Sequence, residues 1–132
     1  MKIESSSYNG EGMKRVYENE QWTVGIKNWK PSNDVTEIDC LERHNLTDEL
    51  FVLISGHCTL IFANELQGKL SFDAVEMKPN QVYTIPKTLW HNTITQKDTK
   101  MILIENVSTS MDNSDLYQLS PEEIREVRAL AK

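Results

Sequence analysis

Short β-like segments separated by turn residues fill almost the whole chain, and this feature most constrains what it can fold into. Residues 13–18 (MKRVYE), 21–29 (QWTVGIKNW) and 34–43 (DVTEIDCLER) alternate or are rich in β-branched side chains, with Asn19-Glu20 and Pro31-Ser32-Asn33 between them. LFVLI at 50–54 is a continuous apolar run, which predicts a strand buried on both faces. Ser55-Gly56 follows as a two-residue turn, so HCTLIFA at 57–63 is expected to return as its hairpin partner. Further strands are expected at 69–75, 81–85, 90–95 and 100–106. Strands this short and this closely spaced pack as an antiparallel sandwich or barrel.

Only the C-terminus breaks the pattern. Ser120-Pro121-Glu122-Glu123 supplies an N-cap, a proline at the first helical position and acid in the first turn, and Ile124, Val127, Leu130 and Ala131 recur at helical spacing. The expected organisation is one domain: a barrel over about 13–106, a polar loop over 107–119 and a helix over about 121–131. The helix is expected to lie on the outer surface of the barrel or across a partner, with Arg125, Arg128 and Lys132 turned outward.

At 132 residues the chain is long enough to bury a core without covalent staples, so Cys40 and Cys58 are expected as free thiols. A net charge of −6 argues against a nucleic-acid partner, which calls for a basic stripe. No apolar run is long enough for a membrane span, and the first residues lack a signal-peptide pattern, so a cytoplasmic location is expected.

Three histidines can be weighed singly. Alternation puts Cys40, Glu42 and His44 on one face of their strand, and Glu49, Phe51 and Leu53 on one face of the next. A carboxylate opening a buried run needs a partner, because an unpaired buried charge costs several kcal/mol, and a metal ion is one such partner. His91 arrives in a separate strand after IPKTLW, while His57 follows the turn glycine as a solvated hairpin residue.

The segment ERHNLTDELFVLISG, residues 42–56, resembles the first motif of the cupin superfamily: His-x-His, three or four residues, Glu, six residues, Gly. His44, Glu49 and Gly56 match, and Glu42 stands in place of the first histidine. NQVYTIPKTLWHNTIT resembles the second motif: Pro86 and His91 match in spacing, while Asn80, Thr88 and Thr95 replace Gly, Gly and Asn. The resemblance implies an all-β, double-sheet (jelly-roll-like) barrel with a divalent metal ion inside it, held by His44, Glu49 and His91, with Glu42 as a fourth ligand or nearby base. Two histidines and a carboxylate suit iron, manganese, nickel or zinc.

Cys40, Phe51 and Tyr83 are expected to line the pocket, and Trp90 to face away from His91 into wall packing. No cluster of lysines or arginines near the motifs marks an anionic substrate. The resemblance also implies a homodimer paired through outer strands. Three functions are compatible with these residues. The first is a metal-dependent cupin acting on or binding a small molecule, as isomerase, epimerase, decarboxylase or dioxygenase, with the metal as Lewis acid. The second is a non-catalytic small-molecule sensor. The third is a metal-free sugar-processing cupin using histidine and tyrosine, for which Tyr83 is the candidate.

Overall fold

A computed structural model describes residues 1–131; Lys132, expected on the outer face of the helix, lies outside the described residues. The described residues form ten strands: β1 (Met13–Glu18), β2 (Trp22–Asn28), β3 (Cys40–His44), β4 (Glu49–Ser55), β5 (Cys58–Leu66), β6 (Lys69–Glu76), β7 (Val82–Ile85), β8 (Trp90–Thr95), β9 (Lys100–Asn106) and β10 (Ser114–Gln118). One helix, α1 (Pro121–Leu130), follows. Two five-stranded antiparallel sheets result, ordered β1-β2-β9-β4-β7 and β10-β3-β8-β5-β6.

The two sheets enclose a core of Phe51, Leu53, Cys58, Leu60, Met77, Ile85, Met101 and Leu103. A second core lies outside the β10-β3-β8-β5-β6 sheet, where Ile38, Leu41, Ile61, Ala63 and Ile94 meet Leu119 and Val127. Val127 is fully buried, so α1 covers this sheet's outer face. Ser120 and Glu123 form a capping box at its start, each side chain bonded to the other's backbone N–H. Trp90 packs on this outer side, as its alternation with His91 predicts. Cys40 and Cys58 are both free thiols.

Four expectations are corrected. The strand expected over 34–43 begins only at Cys40. Asp34 accepts hydrogen bonds from the Thr36 N–H and hydroxyl and from the Trp29 indole, and this local turn captures the first half of the segment. The run 50–54 is buried on one face only: Phe51 and Leu53 point into the core, Leu50 and Val52 are half-buried, and Ile54 is exposed.

Strands β4 and β5 are not a hairpin, since they belong to different sheets and Ser55-Gly56 turns the corner between them. Gly56 takes φ +76°, and a Cβ there would collide with the Asp98 carbonyl oxygen. The hairpin is instead β5–β6, closed by Gln67 and Gly68, both at positive φ. Finally, the stretch expected as a loop over 107–119 contains β10, which pairs with β3 from Ser114↔His44 to Gln118↔Cys40. The barrel therefore extends past 106. Leu116 on β10 is exposed, so this edge strand lacks the apolar alternation that marks a strand in sequence.

The corner predicts a contrast between glycines. Gly56→Ala should cost at least about 2 kcal/mol, since it meets both a forbidden backbone region and a fixed carbonyl. Gly68→Ala, with the same sign of φ and open space around it, should cost about 1 kcal/mol. Urea denaturation of both variants checks the difference.

Candidate metal centre

The register of the sheets brings the motif residues to one end of the barrel. Glu42 lies directly opposite His91 across β3–β8, and Glu49 directly opposite Glu105 across β4–β9. Residues opposite one another in an antiparallel pair share a face, so all four point between the sheets. His44 joins them from the end of β3, two residues beyond Glu42.

Glu49 is the centre of the group. Its Oε1 lies 3.3 Å from Nε2 of His44 and 3.3 Å from Nε2 of His91. Glu42 Oε1 stands 3.8 Å from His44 Nε2 on the more exposed side. His91 is 2% and Glu49 4% exposed, and the ring of Phe51 lies beside His91, centroid to centroid 6.3 Å.

Each imidazole is oriented from behind. His91 Nδ1 lies 2.9 Å from the Leu89 carbonyl oxygen, which only accepts, so Nδ1 carries a proton there and Nε2 is turned inward. His44 Nδ1 is hydrogen-bonded to the Ser114 hydroxyl at 2.8 Å. Such partners fix ring orientation at metal sites.

The donor set fits a divalent ion. Glu49 Oε1 and His91 Nε2 are buried without a hydrogen-bond partner, although 3.3 Å apart. That spacing matches ligand atoms on neighbouring vertices around an ion about 2.1 Å from each. Glu42, His44 and His91, and separately His44, Glu49 and Glu105, each offer ligand atoms within 4.8 Å of one another.

Glu105 is the member that motif reasoning missed. It closes β9, where the strand's register with Glu49 was the only signal for it. Arg15 of β1 donates to it at 3.1 Å and to the Thr109 carbonyl oxygen at 3.0 Å. Burial, together with the neighbouring Glu49, pushes its carboxyl up to about 7 against the opposing effect of Arg15. Glu49 moves the other way: burial opposes its charge, but His44 and His91 hold it well below the usual carboxylate range. Contact with Glu49 raises His44, against the effect of burial.

The remaining nominated residues lie elsewhere. Tyr83 packs against the inner core, but its hydroxyl accepts from the Lys78 N–H at 2.8 Å and so is engaged with the 78–81 turn. Cys40 lines a separate cavity beside Glu42. His57 is exposed and pairs with Asp98 at 2.9 Å. Two departures from the second motif keep its backbone: Asn80 and Thr88, at glycine positions of the motif, take φ +69° and +70°. The Thr88 N–H donates to the His44 carbonyl oxygen at 2.7 Å, tying the two motifs together.

No family model matches the chain, and no curated protein matches it in sequence. Solved structures do match its fold. A cupin-2 domain protein from Shewanella frigidimarina aligns with TM-score 0.55 at 17% identity, over 75% of this chain and 84% of that one. A cupin superfamily protein from Desulfitobacterium hafniense aligns with TM-score 0.53 at 13% identity, over 79% and 84%. Pac13, a nucleoside dehydratase from Streptomyces, aligns with TM-score 0.55 at 11% identity, over 88% of each chain. The chain has the cupin fold: a small cupin barrel of two antiparallel sheets with one C-terminal helix.

The raised Glu105 carboxyl gives a pH test. A group that binds its proton more tightly when folded costs the fold stability as pH rises from the ordinary carboxylate range to about 7, and this cost is complete above it. Glu105→Gln removes the cost. In metal-free protein the variant should melt a few degrees above the wild type at pH 8, with the advantage shrinking toward pH 4.5. Calorimetric melting across that range checks the sign.

Proposed function

We propose that this chain is a metal-binding cupin that acts on a small molecule at the bound ion. The observation that carries the reading is the convergence of two imidazole Nε2 atoms on one buried Glu49 oxygen, two of these three atoms being otherwise unpartnered. His44, Glu49 and His91 would hold the ion, with Glu42 as a fourth ligand on the open side. A bound iron, manganese, nickel or zinc ion would supply a Lewis acid there.

The chain's own residues do the rest. Leu89 and Ser114 hold the imidazoles in orientation. Phe51 walls the His91 side against water. Glu105, set by Arg15 beside Glu49, is placed to hold a proton at its carboxyl oxygen and exchange it with a molecule in front of the centre. Two free cysteines fit a reducing compartment such as the cytoplasm.

Purified protein should carry about one such ion per chain by inductively coupled plasma mass spectrometry, and the His44→Ala/His91→Ala variant should carry none. Protein that stays metal-free after reconstitution with all four ions overturns the reading. A second reading, acid–base chemistry without a metal, is favoured by one observation: two adjoining carboxyls, Glu49 and Glu105, driven to opposite protonation behaviour. The fold is shared with a nucleoside dehydratase, so uridine is the first compound to offer the metal-free protein.

We also propose a homodimer through the outer face of the β1-β2-β9-β4-β7 sheet. Rows of β-branched and aliphatic side chains cross that face: Val24, Ile104 and Leu50 in one, Ile26, Ile102, Val52 and Val82 in the next. The middle of that face is apolar, with Lys14 of β1 opposite Ile26 and Thr84 of β7 opposite Leu50 at its margins, and an apolar strip with a polar rim fits a second copy of the same sheet. Val52→Asp should convert a dimer to a monomer in sedimentation velocity, whereas a wild-type monomer overturns the assembly.

A further inference from the structure

A second cavity, of about 150 Å³, opens beside Glu42 on the side away from α1. It lies where β2 runs into the short 3-10 turn at Pro31–Asn33, and Lys27, Lys30, Asn33 and Glu42 line it. The sequence shows no cluster of lysines or arginines near the motifs, but the fold brings two lysines beside Glu42: Lys27 from β2 and Lys30 from the turn that follows it.

Two groups in this cavity lack partners. Lys27 lies opposite Met101, a fully buried core residue, so its stem runs between the sheets. Among the described residues no carboxylate lies within ion-pair distance of its ammonium. Burial foremost, and then the neighbouring Lys30, lower its affinity for the proton, with only partial relief from Glu42 and other groups. Lys27 as a residue is half-buried, and its ammonium, without a carboxylate partner, favours an anion beside it.

Asn33 is 5% exposed. Its Nδ2 donates to Asn92 Oδ1 at 3.1 Å and to the Thr93 carbonyl oxygen at 3.0 Å, which fixes which way the amide points. Its Oδ1 is left buried with no donor. The cavity therefore presents the two ammonium groups, with Asn33 fixed in its wall. Asp39, exposed at the rim, and Glu42 bear the opposite charge, and in the metal-loaded centre Glu42 is the residue committed to the ion.

We infer that this cavity binds a small carboxylate, held on Lys27 and Lys30. The space is enough for a three-carbon acid. The inference deepens the proposed function by naming the substrate class, because Glu42 stands between the cavity and the histidines.

The test is calorimetric titration with glycerate, in parallel with metal analysis of the same samples. Glycerate and propanoate should both bind, and glycerol, lacking the charge, should bind at least tenfold more weakly. Lys27→Met should lower glycerate affinity at least tenfold with metal content unchanged, and Lys27→Arg should restore most of it. Asn33→Asp, which sets a charge against the ligand, should also abolish binding. Unchanged affinity in Lys27→Met, or inorganic phosphate binding as tightly as glycerate, overturns the inference. Metal lost from His44→Ala/His91→Ala with the Lys27 effect intact separates failure of the metal reading from failure of this one.

Discussion

A carboxylate that would be costly alone in the protein interior organises this molecule. Glu49 is almost wholly buried, and the contacts that make its burial tolerable come from elements far apart in the chain: His44 on β3 and His91 on β8. Both histidines must come from the opposite sheet. The barrel can therefore close around Glu49 only when β3 and β8 lie beside one another in the register that sets Glu42 against His91. The apolar core between the sheets supplies most of the driving force, but it is tolerant of register. The charged end is not.

The same end shows how a pair of like carboxyls is handled. Glu49 takes the imidazoles and keeps its charge; Glu105, directly across the ladder, takes Arg15 and keeps its proton more readily. Two groups of one chemical kind are thereby set to different tasks by their neighbours. One suits holding a cation, the other exchanging a proton.

Most of the strands, the capped helix and the motif residues were legible in the sequence, because periodicity and spacing record them directly. What stayed hidden is instructive. Strand β10 carries an exposed Leu116 and polar neighbours, so its alternation is invisible although it supplies Ser114 behind His44. Asp34 captures its turn through side-chain bonds that compete with the strand pattern around it. Glu105 and Lys27 belong to the site only through register, a long-range quantity that no local window contains. Asn80 and Thr88 read as departures from a glycine motif, yet the backbone there remains left-handed. Asn accommodates this readily, whereas β-branched Thr88 does so under strain, in a turn whose N–H is tied to the His44 carbonyl.

The ladder between β3 and β8 has one further consequence. It consists of the single pair Glu42↔His91, and β3 is otherwise bonded to β10, itself an edge strand. Glu49, Glu105 and His91 sit on strands paired along most of their length on both sides or within the middle of a sheet, whereas His44 and Glu42 ride on a two-strand ribbon. Local opening starts where the fewest bonds must break. By backbone pairing alone this ribbon is the least secured part of the buried end, held there by Leu41 in the core and by the Thr88 N–H on the His44 carbonyl, and Glu42 and His44 are the two donors it carries.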